Sequence, residues 1–187
     1  VLGIGSILSA DSSYYDLLAS EARLCSFLAI AQGALPQESW FALGRMLAIA
    51  GGEPVLVSWS GSMFEYLMPQ LVMPSFPNTL IFGVPGLGLQ RGLGDDLVVA
   101  PYASALALMV APEAACSNLE RLAAAGLLGR FGMFEAIDYT PSRLPRGQTG
   151  AIVHSYMAHH QAMSLLAFAD LLLNHALQTR FESDPAF

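Results

Sequence analysis

Two copies of Met-Phe-Glu, Met63–Glu65 and Met133–Glu135, constrain this chain more than any other feature. A glycine precedes each copy, Gly61 and Gly132, and an apolar run follows. The repetition suggests two equivalent positions in an architecture of repeated helices. Each would carry one glutamate from a glycine-rich loop into a helix start. Unpaired N–H groups and the helix dipole there keep a partly buried carboxylate ionised. Two such carboxylates across a cleft are what glycosidic-bond chemistry requires. The plainer reading is that both glutamates only cap helices.

Taken in order, Asp11–Ser13 is an N-cap cluster that predicts a helix from about Ser13 to Gln32, stopped at Gly33. A second helix is expected from Pro36 through Trp40 to about Ala50, ended by Gly51-Gly52. Pro54–Ser58 reads as a short extended segment, and Ser62 as the cap of a helix from Met63 to Met68 that Pro69 bends or ends. Prolines and glycines make Pro74–Asp96 a long loop. Helices are expected near Pro101–Val110 and Pro112–Ala125, with Gly126 as a C-cap. A last helix, about Ile152–Leu173, is apolar nearly all round and so expected to be buried.

The chain has 187 residues, enough for one domain or a piece of a larger one. Hydrophobic residues make up 54% and charged residues 12%, so much of it must be covered, by itself or by a neighbour. No run reaches the ~18–20 apolar residues of a membrane span, and there is no basic n-region of a signal peptide. The net charge of −7 argues against nucleic acid as a partner. Cys25 and Cys116 stand alone on apolar stretches and read as buried free thiols, with a disulfide left open by spacing.

Polar and aromatic side chains gather at expected helix ends and loops: Trp59, Glu65, Tyr66, Asp96, Glu135, Asp138, Tyr139, Arg143, His159, His160 and Gln161. Aromatic faces stack on sugar rings while carboxylates, amides and guanidinium groups bond hydroxyls, so the mixture reads as a carbohydrate cleft. Adjacent helical residues point about 100° apart, which makes His159-His160 a poor metal pair, and no metal or other cofactor is expected. Hydrogen bonding of these histidines to glucan or to Asp170 is the alternative.

At these motifs the chain resembles the glycoamylase-like domain of bacterial cyclic β-1,2-glucan synthases. The matching stretches are Ser13–Arg23, Leu56–Pro69, Phe82–Leu89, Asp96–Tyr102, Phe134–Arg143 and Ser155–Gln161. The resemblance implies an all-α fold, an (α/α)6 barrel with a cleft at one end, over a single domain or domain fragment spanning residues 1–187. It implies cleavage and re-formation of β-1,2-glucosidic bonds, closing linear glucan into rings by transglycosylation. It places such a domain beside other domains of a large membrane-associated synthase, on the cytoplasmic side of the bacterial inner membrane. Related soluble enzymes hydrolyse the same glucan.

Two departures qualify that picture. Members of the family usually carry a further stretch, with Trp-Gly-Ile-Ser-Glu, between the positions of Ile81 and Phe82; the residue after His-His-Gln is Ala162 where a glycine is familiar. The barrel is therefore expected to be incomplete, with seven or eight helices at ~11–12 residues each. Glu135 is the first choice for general acid/base. Glu65 is either a second catalytic carboxylate or a ligand of sugar hydroxyls. Asp16 is either a sugar ligand or, with Glu21, a structural partner of arginines. Carboxyl separations of about 5 Å and ~6.5–9.5 Å would mark retention and inversion respectively. The competing expectations are a glucan-binding or structural remnant without turnover, and an oligomer whose cleft is completed by another chain.

Overall fold

Short local signals, rather than long amphipathic runs, set the elements of this protein. A computed structural model describes residues 14–50, 52–74 and 97–185. Asp11–Ser13, Asp96, the junction of Ile81 with Phe82 and nearly all of the Pro74–Asp96 loop lie outside the described residues.

Helix α1 (Ala22–Ala31) starts well after Ser13. Its first turn is organised by the Ser20 hydroxyl, which accepts from the Ala22 N–H at 3.2 Å and donates to the Leu17 carbonyl at 2.7 Å. Helix α2 (Glu38–Ala42) stops early because the Arg45 guanidinium takes up the carbonyls of Trp40, Phe41 and Leu43. The chain then forms β1 (Leu47–Ala50), which turns through Gly52 at φ +90° and pairs antiparallel with β2 (Glu53–Leu56). The expected helix to Ala50 is thus corrected: the chain turns a hairpin at Gly52 instead, while Gly51 lies outside the described residues.

Helix α3 (Met63–Leu67) runs on into a 3₁₀ turn, Met68–Leu71, where Pro69 sits. After the two-residue β3 (Val98–Val99) come α4 (Pro101–Ala107) and α5 (Pro112–Leu122), each with its proline in the first turn as expected. A π turn, Ala123–Leu127, closes α5 with Gly126 at φ +93°, the left-handed position expected of a C-terminal glycine. Four short strands follow: β4 (Leu128–Gly129), β5 (Gly132–Met133), β6 (Ala136–Asp138) and β7 (Ala151–Val153). Helices α6 (Ala158–Leu172) and α7 (Ala176–Glu182) complete the described chain.

The all-α barrel expected from the resemblance is not what these residues form. Among the described residues there are three antiparallel sheets, ordered β1-β2, β3-β6-β7 and β4-β5. The register places Val98 opposite Asp138 and Ala136 opposite Val153. Residues 152 and 153, expected in the last helix, are strand, because Ile152 pairs with Ile137. The fold is mixed α and β.

Helix α4 sits at the centre, packed on α3, α5 and α6. Leu106 is fully buried with Leu56, Tyr66, Leu67, Met163 and Ala167, and a smaller cluster of Leu122, Leu127 and Ile137 lies under the strands. Asn118 ties α5 to α4 by donating to the Ser104 hydroxyl at 2.7 Å. Helix α6 is not buried all round: only Met163, Ala167 and Asp170 are, at one-face spacing, while Leu165 and Leu172 are 69% and 76% exposed. Cys25 and Cys116 are free and exposed rather than buried. Among the described residues no helix is long and apolar enough to cross a membrane.

Candidate active site

Glu135 does not start a helix. It lies between β5 and β6, its N–H donating to the Val153 carbonyl at 3.3 Å while the preceding Phe134 N–H donates to Leu127 at 2.7 Å. These bonds pin the backbone on both sides and aim the carboxylate at the N-terminal turn of α6. There Glu135 Oε1 shares a hydrogen bond with His160 Nδ1, and both side chains are largely covered. The His160 ring in turn lies flat on Tyr102, with centroids 3.8 Å apart and planes 11° from parallel. Burial pushes the Tyr102 hydroxyl up from its ordinary pKa, and the negative charge of Glu135 adds to that.

The three side chains form one wall of a cavity of about 370 Å³. Met133, Phe134 and Phe168 supply apolar surface, while Gln161 and Ser164 add polar groups from α6. Gln161 is held in place by donating to the Met133 carbonyl at 3.2 Å. A concave, mostly apolar pocket with a few converging polar groups is the usual form of a small-ligand site. Glu135 is the one carboxylate among the described residues that line it.

Glu65 has a different environment. It is 4% exposed and completes a capping box with Ser62, the arrangement that Ser-x-x-Glu predicts. Its carboxylate accepts from the N–H groups of Trp59, Ser60 and Ser62 at 3.0, 2.9 and 3.3 Å. The hydroxyls of Ser58 and Ser62 add bonds at 3.1 and 3.2 Å, and that of Ser60 a closer one. Below it, Arg23 binds the main-chain carbonyls of Glu65 and Tyr66 at 3.2 and 2.6 Å. Burial lowers the Arg23 pKa to about 10, against the opposing attraction of Glu21. Glu65 therefore knots the loop over residues 58–62 onto α3.

The remaining expected site residues are dispersed. Tyr66 is buried and donates to the Leu56 carbonyl at 2.8 Å, and Trp59 packs 6.3 Å from Tyr15. Asp16 is exposed and uses its main-chain carbonyl to accept from Gly44 at 2.6 Å. Asp138 pairs with Arg143 at 2.7 Å at the end of β6, beside exposed Tyr139. Hydrogen bonds from Thr140, through side chain and backbone, and then the Arg143 guanidinium bring the Asp138 pKa down to about 2. His159 is exposed, with its ring 4.0 Å from His160. Asp170 is not a partner of either histidine; it is buried and holds His175 at 2.9 Å.

Of the expected residues, Glu135, His160 and Gln161 come together in one pocket. Tyr102 was missed as a site residue: Pro101-Tyr102 reads as an ordinary helix start, and only the packing of α4 on α6 brings that ring under His160. Arg23 was missed as well, since a lone arginine on an apolar helix carries no signal of its carbonyl partners.

The cyclic beta-(1,2)-glucan synthase NdvB of Rhizobium meliloti (strain 1021) is 44% identical over 230 residues, covering 99% of this chain and 8% of that protein. The chain thus spans a small part of its relative's length. The matched stretch of 230 residues is longer than the 187 residues here, so the relative carries residues in this region that the chain lacks. A family model described as "Putative glucoamylase" matches residues 81–185. That match covers more than half of the chain and takes in the Glu135 pocket, and the chain belongs to the glycoamylase family.

Proposed function

We propose that this chain is a carbohydrate-active unit that engages β-1,2-glucan in the pocket under Tyr102, with Glu135 as general acid/base in cleavage and re-formation of glucosidic bonds. The observation that carries the reading is the Glu135–His160 pair on the wall of a mostly apolar cavity. His160 orients the carboxylate, Tyr102 holds the imidazole flat, and Gln161 is available to sugar hydroxyls. A general acid/base must lie within hydrogen-bond reach of the glycosidic oxygen, and a fixed carboxylate satisfies that without reorganisation. The similarity to a cyclic beta-(1,2)-glucan synthase supports the choice of substrate and of transglycosylation. Because the chain spans 8% of that relative, we place it among other domains of a larger membrane-associated synthase.

We assign Glu65 to holding the residue 58–62 loop, since its oxygens already accept six hydrogen bonds. Asp138, Tyr139 and Arg143 form an outer polar cluster suited to sugar hydroxyls. Asp16, Trp59 and His159 are candidates for more distant contacts.

A second reading has a specific observation in its favour. Glycoside transfer uses two carboxylates, and the described lining of the pocket presents one. On that ground the isolated chain binds glucan while turning it over poorly. The test of both readings is incubation of the chain, and of its Glu135→Gln variant, with linear β-1,2-glucan, scored for cyclic or shortened products. Turnover abolished by Glu135→Gln supports the catalytic reading. Calorimetric binding without turnover supports the binding module, and neither binding nor turnover refutes both.

A further inference from the structure

The hairpin of β4 and β5 carries an aromatic path out of the pocket that the chemistry above does not use. Phe134 lines the pocket beside Glu135. Its ring lies 5.3 Å from that of Tyr156, and Tyr156 meets Phe131 edge-on at 6.1 Å and 80°. Phe131 ends the path at the hairpin tip, 72% exposed, with the Arg130 guanidinium carbon 5.2 Å from its centroid. Gly129 makes the path possible: a Cβ there would meet Phe134 at 2.7 Å and also the Tyr156 hydroxyl.

Anchoring of the hairpin explains Phe134 and Tyr156, because both pack against the strand backbone. It does not explain Phe131, whose ring faces solvent beyond them. A single exposed apolar side chain needs no explanation. An exposed ring in line with a pocket and carrying a guanidinium is different. A pyranose ring offers a C–H face that packs on an aromatic ring, and equatorial hydroxyls that accept from arginine. We infer that Phe131, with Arg130 and Tyr156, is an outer subsite for a glucosyl unit of a β-linked glucan whose chain continues out of the Glu135 pocket. The inference rests on the proposed glucan reading and adds to it a dependence on chain length. Its occupant is the glucan itself, because the ring path is continuous with the pocket that would hold the reacting residue.

The test uses the full chain carrying Glu135→Gln, so that ligand is not consumed, in four forms: Phe131 intact, Phe131→Ala, Phe131→Leu and Phe131→Trp. Calorimetry compares a β-1,2-linked disaccharide with long linear β-1,2-glucan. The Ala and Leu variants are expected to weaken long-glucan binding about 3- to 10-fold, the range for loss of one aromatic contact. Trp restores it, and disaccharide affinity stays the same in all four. Leu keeps an apolar side chain but removes the flat face, so it separates stacking from general hydrophobicity. Equal weakening at both lengths, or no weakening at either, overturns the subsite and leaves the glucan reading standing. Absence of binding at both lengths with Phe131 intact and native circular dichroism overturns the glucan reading and the subsite with it. Loss of self-association in Phe131→Ala with unchanged glucan binding assigns the tip to a protein contact and also overturns the inference.

Discussion

Replacing Glu65 separates a structural carboxylate from a catalytic one. In Glu65→Ala six hydrogen bonds disappear at a site 4% exposed. The hydroxyls can turn to new partners, since Ser60 and Ser62 already lie 3.0 Å apart and Ser58 accepts from Gly61 at 2.8 Å. The N–H groups of Trp59, Ser60 and Ser62 cannot turn. Three stranded donors at about 1–3 kcal/mol each put the loss at about 3–9 kcal/mol. Glu65→Gln keeps one acceptor and aims an NH₂ at the remaining donors, so it is expected to lose about 2 kcal/mol. Urea unfolding followed by circular dichroism measures both, with the midpoint falling and the slope unchanged. If both variants stay within about 0.5 kcal/mol of the parent while glucan turnover vanishes, Glu65 is catalytic and the structural assignment is refuted.

The hairpin and the outer polar cluster lend themselves to two further tests. Gly129→Ala places a methyl 2.7 Å from the Phe134 ring and should cost about 1–3 kcal/mol of stability by overpacking, read as a lower urea midpoint; a Gly33→Ala control strains a left-handed φ of +70° without a clash. The Asp138 carboxyl, held at about 2, favours the folded state above its ordinary value near 3.8 and loses that contribution as pH falls through about 2. Thr140→Val should raise the Asp138 pKa, seen by NMR titration of the side-chain carboxyl, and an unchanged midpoint would remove Thr140 as the main cause.

Local chemistry was legible in the chain itself. Ser62 three residues before Glu65 announced the capping box, Pro101 and Pro112 announced two helix starts, and Gly126 announced a left-handed helix end. Family membership was legible for the same reason: the motifs are contiguous. The sheets were not. Their strands are two to four residues long, too short for alternation to show, and pairs such as Val98 with Asp138 depend on backbone bonds between distant segments. Nor could sequence place Tyr102, Glu135 and His160 in one wall, because α4, the β5–β6 junction and α6 meet only after packing.

The paired Met-Phe-Glu segments show where that boundary lies. They are identical over three residues, yet one is helix and the other passes from strand to strand. The residue ahead of each differs: Ser62 supplies a hydroxyl to the Glu65 N–H, whereas Gly132 has none and takes φ +111° in a hairpin. Sequence alone determined that Ser62 would cap α3 and draw Glu65 into the cap. Only the tertiary structure decided the place of Glu135, because its backbone bonds to Val153 and its carboxylate to His160, partners that no local pattern supplies.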